Sequence, residues 1–240
     1  MSAETSVPRA VPVRVILLDI EGTTTPVRFV KETLFPYARA RLAQWITEHA
    51  DEPETRAACE ALALHCVAED ADLAATACRL ADADQKLTAL KTLQGLVWDA
   101  GYGDGSIIAP LYPDVAPALA RWHADGVRLA IFSSGSIHAQ HLLFAHTAEG
   151  DLTPLLSGYF DTTIGAKGDA SSYAAIAAHL DVAPHELLFL SDIRAELLAA
   201  RAAGVQAIGV ARESDIAPPE PDAITHFDAI HVRAPVDDRI

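Results

Sequence analysis

The segment that most constrains the fold of this chain runs from residue 13 to residue 26 and has the sequence VRVILLDIEGTTTP. It begins with aliphatic residues and closes with Gly22 and Pro26, a pattern typical of a strand buried on both faces of a parallel sheet. Asp19 and Glu21 follow this strand, at the end where open α/β sheets bind their ligands. Two neighbouring carboxylates repel each other and are costly to desolvate, so we expect a cation or a substrate beside them. The simpler alternative is a strand that ends in an acidic turn.

Strand-like and helix-like segments alternate along most of the chain and predict an α/β fold. After the first strand, we expect strands in residues 127–135, 158–165, 185–192 and 205–212, and a last edge strand in residues 226–232. Helical patterns occupy residues 115–126, 171–180 and 193–204. This order favours a Rossmann-like parallel sheet with helices on both faces.

The alternation is interrupted between residues 29 and 106 by a stretch that is helical in pattern. Its first helix carries an apolar stripe formed by Leu34, Ala38, Leu42, Trp45 and Ile46. Residues 59–70 and 85–101 are also helical in pattern. We therefore predict a catalytic core formed by residues 1–28 and 107–240, and an inserted all-helical cap formed by residues 29–106. Because the insertion follows the first acidic loop, we expect it to act as a lid and to set substrate choice.

The charge of the chain limits what it can bind. It has 18 Lys and Arg residues against 33 Asp and Glu residues, a net charge of −15 with neutral His. We expect no binding to nucleic acid or to an anionic membrane, because both are themselves negatively charged. The first residues lack a signal-peptide pattern and no run reaches membrane-spanning length, so we expect a cytoplasmic location. We also expect a monomer.

The cysteines and histidines do not indicate a metal centre. Cys59, Cys66 and Cys78 form no CxxC pair and are odd in number, so neither a disulfide framework nor a zinc site is expected. Cys59 and Cys66 lie seven residues apart in a helical stretch, and we expect them to share a face as buried free thiols. His138 and His141 have the spacing of a helical metal pair, but we expect ordinary helix residues.

Polar residues of specific kinds lie near the ends of four predicted strands. They are Asp19 with Glu21, Ser133 and Ser134 with Gly135, Lys167, and Ser191 with Asp192, followed by Glu196 four residues after Asp192. Each has a simpler explanation, since the serines and Asp192 could cap helices and Lys167 could face solvent, as could Glu196. The order of all four groups, each near a strand end, nevertheless favours a common site.

These residue types match the requirements of phosphoryl transfer, which needs a nucleophile, a cation and donors for the phosphoryl oxygens. Asp19 could attack phosphorus and form an aspartyl-phosphate. Glu21 could protonate the leaving oxygen and later activate water. Asp19 and Asp192 could bind Mg²⁺, which prefers oxygen ligands and often uses one or two carboxylates with substrate phosphate.

The remaining groups suit the phosphate itself. Ser133 and Ser134 precede a predicted helix, so their hydroxyls and the free N–H groups at its N-terminus could bind phosphate. Lys167 could neutralise both the phosphate and the aspartate. The sequence therefore predicts a complete phosphoryl-transfer site near the strand ends.

The order of these motifs resembles that of the haloacid dehalogenase superfamily of aspartyl phosphatases. Glu21 restricts the resemblance to a smaller group within the superfamily, because most of its phosphatases carry aspartate at this second acidic position. The match is to the enolase-phosphatase family of methionine salvage, also called the acireductone synthases. The similar segments are DIEGTTTP, LKTLQGLVWDAGY, SSGSIHAQHLLF, GDLTPLLSGYFDTTIGAK and LFLSDIRAEL. They follow the family's order from about residue 15 to residue 204.

The resemblance implies a haloacid dehalogenase-like core with a helical cap, and magnesium as cofactor. It implies a small phosphate ester as substrate, 2,3-diketo-5-methylthiopentyl-1-phosphate, which is enolised and dephosphorylated to the acireductone 1,2-dihydroxy-3-keto-5-methylthiopentene. By position, Asp19 matches the nucleophile and a magnesium ligand, and Glu21 the second acid, which would reach the metal through its side chain or only its backbone. The other matches are Ser133 and Ser134 to the phosphate serines, Lys167 to the family lysine, and Asp192 to the later magnesium ligand.

Other interpretations remain open. A related enzyme of the same fold could act on another small phosphate ester or as a dehalogenase, because a fold does not fix a substrate. A phosphorylated receiver module of a signalling system also combines an acid cluster, a hydroxyl residue and a lysine. Its phosphorylated aspartate, however, follows a later strand. The base of the enolisation step is also open, with Glu21 and Lys167 as the nearest candidates.

Overall fold

The computed structural model of the protein describes residues 11–70, 72–85, 87–213 and 216–233. The chain divides into two compact units, a core unit formed by Met1–Pro26 with Ala109–Ile240 and a helical unit formed by Val27–Ile108. The boundaries expected from the sequence lie two residues inside those of the helical unit. The role of the helical unit as a lid stays a prediction.

The core unit contains a five-stranded parallel sheet. The described strands are β1 (Val11–Pro12), β2 (Val15–Leu18), β3 (Arg128–Phe132), β4 (Leu156–Phe160), β5 (Leu187–Ser191), β6 (Gln206–Gly209) and β7 (Val232–Arg233). The main sheet has the order β4-β3-β2-β5-β6, and all of its strand pairs are parallel. The predicted α/β fold is therefore confirmed.

Strand β2 lies at the centre of this sheet and is buried on both faces. All four of its residues have no exposed surface. Val15 and Leu17 pack into a cluster that includes Tyr173 and Phe189. Since side chains alternate along a strand, Ile16 and Leu18 occupy the opposite face and are equally buried. This double burial explains why the strand has no polar residue until Asp19.

The helical unit contains no strand in its described residues. Its helices are α1 (Val27–Phe29), α2 (Phe35–Glu48), α3 (Pro53–Leu62), α4 (Leu73–Asp82) and α5 (Thr88–Gly103), with a π-helical turn at Val30–Leu34. The apolar faces of α2 to α5 pack together through Leu42, Leu62, Leu80, Leu90 and Leu93. The expected stripe is buried at Leu34, which ends the π-helical turn, and at Ala38 and Leu42 of α2, and it is partly buried at Trp45 and Ile46.

One helix of this unit is shorter than the sequence suggests. The helical pattern of residues 59–70 ends with α3 and a 3₁₀ turn at Ala63–His65. Beyond it, the Asp70 carboxylate accepts the N–H of Val67 at 3.2 Å and pairs with Arg79 at 2.8 Å, which stabilises a loop. The prediction that Cys59 and Cys66 share a buried helix face is wrong, because Cys66 lies in this loop and is exposed. Cys59 is partly buried, and both thiols are free.

In its described residues the core unit has four α-helices, one before β3 and one in each of the three connections from β3 to β6. They are α6 (Val115–Ala124), α7 (Ile137–Ala145), α8 (Ala170–His179) and α9 (Arg194–Ala202). Gly126 and Gly204 follow the C-caps of α6 and α9 with φ of +79° each, as predicted for residues that end a helix. The helices α6 and α9 thus end where the sequence indicates.

Two predicted strands differ from the structure. Residues 161–165 form turns rather than the end of β4, because the Asp161 carboxylate accepts the N–H and the hydroxyl of Thr163 at 2.9 and 2.5 Å. The expected edge strand at residues 226–232 is also wrong. A 3₁₀ turn occupies Phe227–Ala229, and β7 pairs with β1 in a separate two-stranded sheet.

A buried ion pair fixes the segment after β6 to the start of α6. Nη1 of Arg212 donates to both oxygens of Asp114, at 2.9 and 2.8 Å, and Asp114 also accepts the N–H of Phe227 at 2.6 Å. The two charged side chains are 2% and 5% exposed. Burial raises the pKa of Asp114, but the Phe227 N–H and Arg212 more than offset this, so its pKa is lowered.

Replacing Asp114 by Asn should destabilise the protein by about 3 kcal/mol at pH 7, because Arg212 would be left without a buried counter-charge. The pKa of Asp114 is lowered by folding, so its stabilisation is present above the unfolded pKa of about 4 and is lost as the pH falls further. Urea unfolding should therefore show a difference between variant and wild type that shrinks below about pH 4. Asp125→Asn, at the exposed other end of α6, is the control and should leave the unfolding midpoint unchanged. A constant difference down to pH 3 would contradict this assignment.

Candidate active site

The sheet order brings the predicted site residues to one edge. Leu18, the last residue of β2, pairs with Ile131 of β3 and Leu190 of β5, and Asp19 donates its N–H to the carbonyl of Leu190 at 3.0 Å. Ser133 lies two residues after Ile131, and Asp192 lies two residues after Leu190. The chain runs from β2 toward β4 on one side of the sheet, then crosses to β5 and β6 on the other. Ligand crevices of open α/β sheets form at such a reversal.

Asp19 is buried at this reversal and is held in a fixed position. Its side chain is 6% exposed. Its Oδ1 accepts the N–H of Ile20 at 2.8 Å and the ammonium group of Lys167 at 2.5 Å. Among the described residues, both hydrogen bonds to this carboxylate go to Oδ1, which leaves Oδ2 available to a substrate.

Lys167 lies between two carboxylates. Its Nζ is 2.5 Å from Asp19 and 2.8 Å from Oε2 of Glu196, and its side chain is 11% exposed. Burial lowers the pKa of Lys167, but the charges of Asp19 and Glu196 more than offset this, so the pKa is raised and the ammonium form is favoured. The backbone of this loop is anchored to α8, because the hydroxyl of Tyr173 donates to the Lys167 carbonyl at 2.7 Å.

Glu196 is part of this cluster rather than facing solvent. Besides Lys167, its Oε2 accepts the hydroxyl of Ser191 at 2.9 Å. Burial and the charge of Asp19 raise the pKa of Glu196, against the opposing effect of Lys167. Ser191, which precedes Asp192 at the fourth predicted strand end, is fully buried at the end of β5 and also accepts the N–H of Ile193. Its place at the strand end was expected from the sequence, but its hydrogen bond to Glu196 was not.

Asp192 is oriented by the loop that follows Asp19. Its N–H donates to the hydroxyl of Thr23 at 3.1 Å, while its Oδ1 is buried without a hydrogen-bond partner in the described part of the chain. Burial, followed by the charge of Asp19, raises the pKa of Asp192 to about 7. Helix α9 is capped at Ile193 without a side-chain hydrogen bond, so the simple explanation of Asp192 as a helix cap is excluded.

Gly22 allows the two acidic loops to approach each other. Its φ is +72°, and a Cβ atom at this position would lie 2.1 Å from Oδ2 of Asp192. The turn is closed by the N–H of Gly22, which donates to the carbonyl of Thr25 at 2.8 Å. Glu21 lies in this turn and is partly buried. The glycine therefore places the Asp192 carboxylate directly against the turn that carries Glu21.

Ser133 and Ser134 follow β3 but do not cap the next helix. The cap of α7 is Ser136, whose hydroxyl accepts the N–H of Ala139 at 3.2 Å. Ser133 is 5% exposed and its hydroxyl accepts the N–H of Gly135 at 3.3 Å, whereas Ser134 is exposed. The helix-cap explanation is thus excluded for both serines.

The histidines of α7 are both exposed, and the ring of His141 packs against Tyr159 with centroids 5.6 Å apart. No group of three or more His, Cys, Asp or Glu side chains that could hold a metal ion occurs among residues 11–70, 72–85, 87–213 and 216–233. Over the same residues, no helix is both long and apolar enough to cross a membrane.

Comparisons with known proteins agree with this fold. The model of the haloacid dehalogenase-like hydrolases matches residues 13–204. The chain is 48% identical over 221 residues to the enolase-phosphatase E1 of Methylococcus capsulatus, covering 91% of this chain and 97% of that protein. It is 50% identical over 200 residues to the enolase-phosphatase E1 of Acidiphilium cryptum, covering 83% and 85% of the two chains. The crystal structure of the UTR4 protein from Saccharomyces cerevisiae is similar with a TM-score of 0.78 and 33% identity, over 91% of this chain and 100% of that one.

The match of residues 13–204 to the hydrolase model, on a parallel sheet with a buried carboxylate–lysine pair at its reversal point, shows that the chain is an enzyme of the hydrolase class. The chain belongs to the enolase-phosphatase family of the haloacid dehalogenase-like hydrolases. Enzymes of this family are generally metal-dependent. Membership sets aside the receiver-module interpretation.

Proposed function

We propose that this enzyme converts 2,3-diketo-5-methylthiopentyl-1-phosphate to the acireductone and phosphate, as a step of methionine salvage. The observation that carries the proposal is the pairing of Lys167 with Asp19 at the reversal of the sheet. The identity of about half of the aligned residues with curated enolase-phosphatases supports the substrate assignment. We further propose that the enzyme works in the cytoplasm as a monomer.

In the phosphatase step, Asp19 attacks phosphorus through Oδ2 and forms an aspartyl-phosphate while the bond to the leaving oxygen breaks. Lys167 holds the carboxylate through Oδ1, so the second oxygen is oriented and the charge of the incoming phosphate is offset. Glu21 protonates the leaving oxygen and then takes a proton from the water that releases phosphate. The serine hydroxyls of Ser133 and Ser134 bind the phosphoryl oxygens.

A magnesium ion suits the carboxylates at the sheet edge. The Oδ1 atom of Asp192 is buried without a hydrogen-bond partner among the described residues, which fits a carboxylate that binds a cation. Asp19 and Asp192 would hold the ion, with the backbone carbonyl of Glu21 as a further ligand, since a metal-bound carboxylate is a poor proton carrier. When bound, the ion would supply positive charge that offsets the phosphate and the two aspartates.

The enolisation step needs a base for a carbon-bound proton. Lys167 donates to two carboxylates and is held as an ammonium group, so it is a poor proton acceptor. Glu21 is a carboxylate, a group that can accept a proton, and it lies in the turn against which the Asp192 carboxylate packs. We therefore propose Glu21 as the base and Lys167 as a positive charge that stabilises the enolate.

The reaction is tested directly with purified protein and the diketone phosphate, following enol absorbance and phosphate release in the same sample. We expect the enol product and phosphate to form in equal amounts. Phosphate release without the enol, or faster release from another small phosphate ester, would favour the alternative phosphatase. Activity that survives complete removal of metal would favour a dehalogenase-like mechanism.

Metal removal should stop phosphate release, and added magnesium should restore it. In Asp192→Ala, we expect the magnesium concentration for half-maximal activity to rise at least about tenfold, because one of two carboxylate ligands is lost. Asp125→Ala, an exposed position at the end of α6, is the control and should titrate as the wild type does. An unchanged magnesium titration in Asp192→Ala would show that the ligand assignment is wrong.

A further inference from the structure

A buried arginine, Arg212, lies next to the loop that follows Asp19 and does not belong to any of the predicted motifs. The side chain of Arg212 is 2% exposed, and its guanidinium carbon is 4.8 Å from the ring centroid of Tyr112 and 4.3 Å from that of Phe227. Nη1 pairs with Asp114 and also donates to the carbonyl of Thr225 at 2.9 Å. Two aromatic rings and the carboxylate thus fix the plane of the guanidinium group.

The same guanidinium group reaches the loop that carries the nucleophile. Its Nε donates to the carbonyl of Thr23 at 2.9 Å. Thr23 is fully buried, and its own N–H donates to the carbonyl of Ile20 at 3.2 Å. The hydroxyl of Thr23 accepts the N–H of Asp192. One threonine therefore links Arg212 to both loops that carry the acidic site residues.

The contacts of Arg212 require a guanidinium group, and another cationic side chain could not make all of them. The planar guanidinium group presents Nε to Thr23 and Nη1 to Asp114 at the same time, which the single ammonium group of a lysine cannot reproduce. Its Nη2 is buried without a hydrogen-bond partner among the described residues.

We infer that Arg212 is a positioning residue for phosphoryl transfer. It acts through Thr23, which fixes the position of the loop that carries Asp19 relative to Asp192. This inference rests on the proposed function. A displacement of about 1 Å in a reacting group can lower a rate by about a hundredfold. Loss of the link should therefore slow the chemical step, although no group that touches the substrate is removed.

Two variants interrupt the link at different points. Arg212→Lys keeps a positive charge for Asp114 but loses the contact to Thr23. Thr23→Val keeps the carbonyl and the side-chain shape but removes the acceptor for the Asp192 N–H. For each, we expect kcat to fall about tenfold or more while KM changes less than about threefold. In the double variant, the loss should be close to that of the slower single variant, because both act on one link.

The matched control is Arg201→Lys. Arg201 on α9 pairs with Glu220 and donates to the carbonyl of Ala207, so the same chemical change is made to an ion pair outside the site. We expect its kcat to equal that of the wild type. Amide hydrogen exchange provides a readout besides activity, since exchange at the Asp192 N–H should become faster in Arg212→Lys and Thr23→Val. Exchange in β2 should stay unchanged, which separates local displacement from a general loss of stability.

Several outcomes would overturn the inference. One is a kcat equal to that of the control in both Arg212→Lys and Thr23→Val. Another is a double variant in which the losses of kcat from the two single variants add. If Arg212→Lys does not fold, Thr23→Val alone decides, and unchanged kcat with unchanged exchange at Asp192 counts against the link. An inactive wild type would refute the proposed function instead, and the exchange measurement would still test the positioning.

Discussion

Asp19→Asn should lower phosphate release at least about a thousandfold while the protein still folds, because an amide cannot form the aspartyl-phosphate. The change keeps the shape of the side chain and an oxygen that can accept from Lys167. Thermal unfolding of the variant checks the fold, and single-turnover phosphate release measures the loss. In the wild type, a beryllium fluoride adduct should form on Asp19 and be absent from the variant.

The matched control is Asp161→Asn. Asp161 follows β4 as Asp19 follows β2, but its carboxylate is used in a turn with Thr163. We expect this variant to keep its turnover within about twofold of the wild type. Appreciable turnover by Asp19→Asn, measured in the same assay, would rule out the covalent mechanism.

Lys167→Met should lower kcat/KM at least about a hundredfold, by analogy with the loss of one oxyanion donor. The Met side chain fills similar space but leaves Asp19 and Glu196 without their shared cation. Two uncompensated carboxylates also disfavour an incoming phosphate, so both kcat and KM should change. Steady-state kinetics over a range of magnesium concentrations measures the effect and shows whether added metal compensates.

Lys91→Met provides the comparison for Lys167→Met, because Lys91 is exposed on α5. It removes the same charge from the chain and should leave kcat/KM within about twofold of the wild type. If both lysine variants keep normal kinetics, the phosphate does not bind beside Lys167 and the site lies elsewhere.

Much of the fold follows from local patterns. The apolar run before Asp19 predicts a central strand because a strand buried on both faces cannot carry polar residues. The prediction of strands was wrong where a side chain accepts a backbone N–H group that a strand would need for pairing. The Thr-rich residues 161–165 have the composition of a strand, but Asp161 binds the N–H of Thr163. The alternating residues 226–232 suggest a strand, but Asp114 accepts the N–H of Phe227.

The residues of the candidate site could be predicted from the sequence, but the contacts between their side chains could not. The order of polar residues along the strands indicates that Asp19, Lys167 and Asp192 share one region, and the parallel register brings their strand ends together. Lys167 and Asp19 are 148 residues apart, and Arg212 and Thr23 are 189 apart, so no local pattern signals either contact. The ion pair of Glu196 was missed for the same reason. The roles of these residues in the reaction stay predictions.

The central place of β2 also has a consequence for protein synthesis. Val15 pairs with Arg128 on one side and with Leu187 on the other, so the strand before Asp19 leaves the ribosome long before either partner exists. Until then its backbone groups and its apolar side chains have no native neighbour, a state prone to pairing with other chains. A messenger RNA that stops after codon 167 and before codon 188 encodes Asp19 and Lys167 but neither the complete strand β5 nor Asp192 or Glu196. Nonsense mutations upstream of codon 188 should therefore yield insoluble fragments with no partial activity.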